Sequence, residues 1–202
     1  SYDNGRKKYY FQDEVVIKDF NDNFQMIFLK TKPAYKNIIT RFINYIDYKI
    51  KVSRWNKFKF ESEVIIASSV HPLSWVAGYI LSKRHNAKFI VEVRDLWPLS
   101  MYEDLSGLIR KLVFGYFESL ERKYYRLADA IITTAPYAYE YMEEKYGIDK
   151  NKVFHIPHGI DIDEFDKNMN KGEVLKGELN ETLNNYFCVT YTGALSKSEG
   201  LP

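Results

Sequence analysis

Residues 63–98 read EVIIASSVHPLSWVAGYILSKRHNAKFIVEVRDLWP, and they decide the fold. Glu63–Ser69 (EVIIASS) is a compact apolar run, as expected of a strand buried on both faces. From Pro72 to about Arg84 an apolar helical stripe follows, with proline in the first turn. Lys88–Val93 (KFIVEV) returns to strand character and runs into the loop RDLWP. Strand, helix and strand joined by such short connections imply parallel strands with right-handed crossovers. In sheets of this kind ligands bind beyond the carboxyl ends of the strands.

The same alternation extends onward. Ile109, Leu112, Val113, Tyr116, Phe117, Leu120, Tyr124 and Leu127 recur at spacings of three and four, which predicts a helix over Gly107–Leu127. Ala130–Thr133 (AIIT) reads as a strand, Pro136–Tyr146 as a helix stopped by Gly147, and Lys152–Ile156 as a fourth strand. The expected class is therefore α/β, a parallel sheet flanked by helices. Asn168–Asn185 is polar and rich in Asn, Lys and Gly, as a connection between domains would be. Tyr186–Thr192 (YFCVTYT) reads as one further buried strand, the first of a second domain. The expected organisation is a domain over 1–166, a linker over 167–185, and the beginning of a truncated domain over 186–202, because one strand cannot bury itself.

Composition excludes several classes. The 202 residues are 46% hydrophobic and 28% charged, ample for a core. Twenty-nine basic residues nearly balance 27 acidic ones, so no nucleic-acid partner is expected. The single cysteine, Cys188, permits neither an internal disulfide nor a cysteine zinc site, and a cytoplasmic setting is expected. No run approaches the roughly 18 consecutive apolar residues of a spanning helix.

Candidate chemistry lies in the loops at the strand ends. SSVHP places Ser69 and His71 before a helix whose positive end suits an anion; the alternative is a helix cap or a surface histidine. In VRDLWP, Arg94 has the planar fork that suits a phosphate or carboxylate. Asp95 would accept hydrogen bonds from sugar hydroxyls, and Trp97 would wall a pocket. The alternative there is an ion pair that closes the loop. IPHGID sets His158 and Gly159 in a tight turn, with Asp161 and Asp163 placed to cap the next element; the carboxylates match no recognised metal loop. Gly193 and Lys197 form a glycine turn with a nearby ammonium, fit to meet a phosphate.

Lys36–Lys59 carries seven basic residues and one acidic residue, a local charge of +6. Ile39, Phe42, Ile43, Ile46 and Ile50 form a helical stripe, with Tyr45, Tyr48 and Trp55 beside it. Two readings stay open: a core-packed helix with a solvated basic face, or peripheral attachment to an anionic membrane surface.

Taken in order, the stretches 63–100 and KVFHIPHGIDIDEF, with RKYYRLADAIITTAPYAYEYM between them and YTGALSKSEGLP after, resemble the amino-terminal domain of family four glycosyltransferases. The likeness is nearest to the bacterial branch that builds capsule, O-antigen and exopolysaccharide. It is strong over Glu63–Phe165, moderate over Tyr186–Pro202 and weak over residues 1–60. The resemblance implies a GT-B fold of two Rossmann-like domains. A sugar would pass from a nucleotide-diphosphate donor to a glycan or polyprenyl-linked acceptor with retention, without metal or cofactor. By position, Arg94 and Asp95 stand where many relatives carry a His-Asp pair near the donor sugar, so any role that needs that histidine is not carried over. His158-Gly159 stands where Asn-Gly is commoner, and Gly193 and Lys197 correspond to groups near the donor phosphates. The family's opening strand and glycine-rich loop are not found at the start of the sequence, and its paired-glutamate motif would lie past Pro202. The polypeptide alone is therefore expected to be inactive. Other readings are a non-catalytic docking subunit of a split transferase and a flavodoxin-like regulator.

Overall fold

The computed structural model of the chain describes residues 2–3, 6–7, 13–33, 38–57, 61–69, 71–98, 107–169 and 185–189. It divides into two compact units, Ser1–Pro157 and His158–Pro202. In the first unit, two short strands, β1 (Tyr2–Asp3) and β2 (Arg6–Lys7), pair antiparallel. A second antiparallel hairpin joins β3 (Val15–Asn21) to β4 (Phe24–Leu29) and leads to helix α1 (Ile38–Arg54). The centre of the unit is a four-stranded parallel sheet in the order β5 (Val64–Ser68), β6 (Lys88–Val93), β7 (Ala130–Thr133), β8 (Val153–His155). Helices α2 (Leu73–His85), α3 (Gly107–Leu127) and α4 (Ala138–Tyr146) connect successive strands. The four strands and three helices read from the sequence are present, with bounds shifted by at most two residues. The β3–β4 hairpin was not anticipated.

Successive strands lie side by side in chain order, and right-handed crossovers of that kind stack their helices on one face. The register shows the consequence. Ala67, Val91 and Ile131 are aligned neighbours and all buried, as are Val93 and Thr133. Ile66, aligned with Ile90 on the opposite face, is 57% exposed, and Val64 and Phe154 are also exposed there. β5 is thus buried on one face, not on both as its continuous apolar run suggested.

On the covered face the core gathers Trp75, Phe89, Phe117, Tyr124, Tyr125, Ile131 and Met142. Helix α2 approaches β5 closely because residue 78 is glycine. A Cβ there would sit 2.5 Å from the Ala67 Cβ and 3.3 Å from the Phe89 ring. α2 ends on Asn86 and α4 on Gly147, both left-handed, and Gly147 donates its N–H to the Glu143 carbonyl. The glycine stop read from the sequence is in place.

α1 is tied in from two sides. Arg84 of α2 donates to the carbonyls of Ser53 and Trp55 at its carboxyl end. Lys51 reaches Glu14, Asp47 and the Lys30 carbonyl next to the hairpin, so this member of the basic segment is committed to internal contacts. Inward, α1 presents Phe42 and Tyr45 to the core, whereas Ile39, Ile43 and Ile46 are exposed. The isoleucine stripe is therefore not the packed face. The stripe expected on α3 is likewise split: Phe117, Leu120 and Tyr124 are buried, whereas Leu112, Tyr116 and Leu127 are exposed.

The second unit contains helix α5 (Ile162–Met169), which runs into the start of the expected linker. Asp161 caps it, accepting the Glu164 N–H at 2.9 Å, in keeping with the capping role read from the sequence. Residues 186–189 are not in a strand, and Phe187 and Val189 are almost fully exposed; residues 190–192 lie outside the described residues.

Gly78→Ala tests the tight helix–sheet contact. Helix propensity alone would favour alanine by about 1 kcal/mol, but overlap in a packed core costs roughly 1–3 kcal/mol. A lowered urea midpoint is expected, restored at least in part by combining Gly78→Ala with Ala67→Gly.

Candidate functional site

The site is built where β5 and β6 end side by side. Ser69 follows β5, is almost fully buried, and joins the two strand ends: its N–H donates to the Glu92 carbonyl at 3.0 Å, and its Oγ accepts the Arg94 N–H at 3.1 Å. Trp75 of α2 adds its indole N–H to the same Glu92 carbonyl at 3.4 Å. At the head of α2, the Ser74 hydroxyl lies within reach of the Ser68 and His71 carbonyls, at 2.7 and 2.9 Å. The turn from β5 into α2 is thus fixed by serines.

His71 is 6% exposed, neither a surface residue nor a side-chain cap. Its ring stacks on Tyr45 at 4.1 Å between centroids and meets the edge of Tyr48 at 5.3 Å. Its Nδ1 is buried with no hydrogen-bond partner among the described residues, as is the Trp97 Nε1. Burial holds the imidazole neutral, with its pKa lowered to about 4.

Trp97 is also buried. It packs against Phe117 at 5.1 Å and meets Tyr45 edge-on at 6.3 Å. The pocket-wall role expected for it is therefore replaced by a core role. Tyr45 of α1 is the common neighbour that brings His71 and Trp97 together.

The RDLWP loop is held at its far end by Glu121 of α3. This carboxylate is fully buried and accepts the Trp97 backbone N–H at 3.1 Å, the Tyr125 hydroxyl at 2.8 Å, the Tyr141 hydroxyl at 3.0 Å and the Tyr146 hydroxyl. Burial raises its pKa, opposed by the hydrogen bonds from Tyr146, Tyr125 and Tyr141. Burial, reinforced by the neighbouring carboxylate, raises the Tyr125 and Tyr146 hydroxyls as well, so both stay protonated donors. Sequence reading missed Glu121. The available signal was an acidic residue beside Phe117, Leu120 and Tyr124 on the helix face that packs inward.

Between these anchors Arg94 and Asp95 are exposed at the carboxyl end of β6. Among the described residues they form no ion pair with each other, contrary to the loop-closing alternative. The rim therefore presents a guanidinium and a carboxylate whose backbone is fixed by Ser69 before them and Glu121 after them. At the neighbouring strand ends, Thr133 turns its Oγ1 to the Ala135 N–H, and His155 Nε2 lies 3.2 Å from the Thr134 carbonyl. His158 and Gly159 belong to the second unit, in the exposed segment before α5. Gly193 and Lys197 lie outside the described residues.

A four-stranded parallel sheet flanked by helices defines a Rossmann-like α/β domain. The family model described as Glycosyltransferase Family 4 matches residues 28–164, and the chain belongs to that family. A comparison with curated proteins returned no match.

Two outcomes check this geometry. Glu121→Leu takes the acceptor from three buried donors and the half-buried Tyr141 hydroxyl and is expected to cost roughly 2–4 kcal/mol in urea unfolding, with Glu121→Gln milder because it keeps an acceptor. His71 is neutral when folded and titrates near the usual histidine range when unfolded. Its contribution to stability is complete above about pH 6.5 and is lost as pH falls from there towards 4. His71→Gln should therefore flatten that part of the stability–pH curve, read from unfolding midpoints at pH 7 and 4.5.

Proposed function

We propose that this chain supplies the acceptor-side lobe of a retaining glycosyltransferase acting in bacterial cell-surface polysaccharide synthesis. The sugar comes from a nucleotide-diphosphate donor and goes to a glycan or polyprenyl-linked acceptor, on the cytoplasmic side. One observation carries the reading: Arg94 and Asp95 stand exposed and unpaired with each other at the end of β6, on a loop whose backbone is pinned at both ends.

In this reading the acceptor hydroxyl attacks the anomeric carbon on the face from which the nucleotide diphosphate departs. The bond from carbon to phosphate oxygen breaks, the bond to the acceptor oxygen forms, and the hydroxyl proton passes to the leaving phosphate. Arg94 offsets developing phosphate charge and Asp95 fixes sugar hydroxyls, so protein groups act by positioning and electrostatics. Ser69 and His71 shape the floor beneath them, and Trp97 acts from within the core by holding the loop. Gly193 and Lys197 are assigned to the donor phosphates, and His158 and Gly159 to substrate binding. The reading needs no metal or cofactor, because the nucleotide-sugar is itself a substrate and side chains with helix ends meet the diphosphate charge.

The test is a screen of the full-length enzyme against UDP- and GDP-sugars, with Arg94→Ala and Asp95→Ala as controls. Each substitution is expected to lower kcat/KM by about 100-fold or more, the scale set by removal of one electrostatic contact in a transition state. Near-normal turnover in both variants overturns the site. Residues 1–202 alone are expected to transfer no sugar.

A further inference from the structure

A cleft of about 440 Å³ opens in the first unit between the β3–β4 hairpin and the second half of α1, and it shares no residue with the rim that carries Arg94 and Asp95. Its size is within the range of small-ligand sites. Val15 of β3, Leu29 of β4 and Ile50 of α1 give it apolar walls, and Trp55, just past the end of α1, adds an aromatic one. Trp55 is held by its backbone. Its N–H donates to the Val52 carbonyl at 3.1 Å, and its own carbonyl accepts from Arg84 Nη1 at 2.7 Å.

The polar part of the lining sets two carboxylates, Glu14 and Asp47, against two cations, Lys51 and Arg54, so it carries no net charge. Lys51 is spent within it, on Glu14 Oε2 at 3.2 Å, Asp47 Oδ2 at 3.4 Å and the Lys30 carbonyl at 2.6 Å. Asp47 Oδ2 also accepts the Lys32 N–H at 2.7 Å. The other oxygen of each carboxylate, Glu14 Oε1 and Asp47 Oδ1, meets no partner among the described residues. Neither does the exposed Arg54 guanidinium or the Trp55 indole N–H. Acceptors and donors are thus left over together, beside apolar and aromatic walls. An ion would call for one sign of charge, and a wholly apolar ligand would leave these groups unmet. A sugar ring answers both: its hydroxyls donate and accept around the edge, and its C–H face lies against an aromatic ring. α1 also links the cleft to the rim. Its Tyr45 and Tyr48 pack on His71, and Arg54 stands roughly 14 Å further along the helix than Tyr45.

We propose that the cleft between the β3–β4 hairpin and α1 is a second carbohydrate subsite, which binds one uncharged sugar unit of the acceptor. The Trp55 ring takes a C–H face of the sugar, Glu14 and Asp47 accept from its hydroxyls, and Arg54 donates to them. The assignment rests on the reading of a glycan acceptor and deepens it: the acceptor is an oligosaccharide held along α1, not a single sugar held only at the rim.

Ligand-observed NMR titration of the 202-residue chain tests it, with no sugar donor present, so that failure of the cleft to bind and failure of sugar transfer are separate results. The probes are methyl glucoside, methyl galactoside, methyl rhamnoside and N-acetylglucosamine, with inorganic phosphate as the anionic control. Saturable binding of at least one of these sugars in the millimolar range, undisturbed by phosphate, is the expected result. Arg54→Ala should weaken it by about 10-fold or more, and Trp55→Phe should weaken it as well, whereas Asp95→Ala at the rim should leave it unchanged. Arg54 is exposed and bonds to no other described residue, so the unfolding midpoint of Arg54→Ala should stay close to the parent, and this variant decides the matter if Trp55→Phe misfolds. No saturable binding of any of these sugars, or binding indifferent to Arg54→Ala, overturns the proposal. So does binding lost in Asp95→Ala, which would place the sugar on the rim. Competition by phosphate that Arg54→Ala removes overturns it too, because the cleft would then be an anion site.

Discussion

A carboxylate without access to water has to be met by donors, and at Glu121 four are supplied by separate parts of the chain. The Trp97 N–H comes from the loop after β6, the Tyr125 hydroxyl from one turn along α3, and the Tyr141 and Tyr146 hydroxyls from α4. Each of those donors would itself be costly to bury unpaired. The carboxylate and its donors therefore hold one another in place, and the loop that carries Arg94 and Asp95 inherits their rigidity. An apolar residue at 121 would fill the same space without fixing where the loop backbone runs.

The near end of that loop is fixed by smaller groups. Ser69 links the ends of β5 and β6 through two hydrogen bonds, and Tyr45 covers both His71 and Trp97 from α1. The rim has a dry aromatic floor and a charged edge. Its polar groups differ accordingly: the imidazole is kept neutral below, while guanidinium and carboxylate face solvent above. Charged groups at an exposed edge backed by low-dielectric packing are well placed to act on a charged ligand.

The outward stripes of α1 and α3 result from how few faces a helix can bury. α1 is held by α2 along one side and by the β3–β4 hairpin along another, through Arg84, Lys51 and Asp47. Those contacts set its rotation, and the isoleucine stripe is left facing away. On α3 the rotation is set by Glu121 together with Phe117, Leu120 and Tyr124, which leaves Leu108 and Leu112 outside.

Period and punctuation alone determined the order of elements from β5 to β8, because strands that start at residues 64, 88, 130 and 153, separated by helical stripes with proline starts and a glycine stop, have few alternative foldings. They also placed Ser69, His71, Arg94 and Asp95 at strand ends. Only the tertiary structure decided which of these face solvent, since a loop position does not say whether its side chain turns into the core, as His71 and Trp97 do. Periodicity likewise finds apolar stripes on α1, α3 and β5 but cannot tell which face a neighbour will cover. That choice depends on crossover geometry and on pairings such as Lys51 with Glu14 and Trp97 with Glu121, whose members stand 37 and 24 residues apart in the chain.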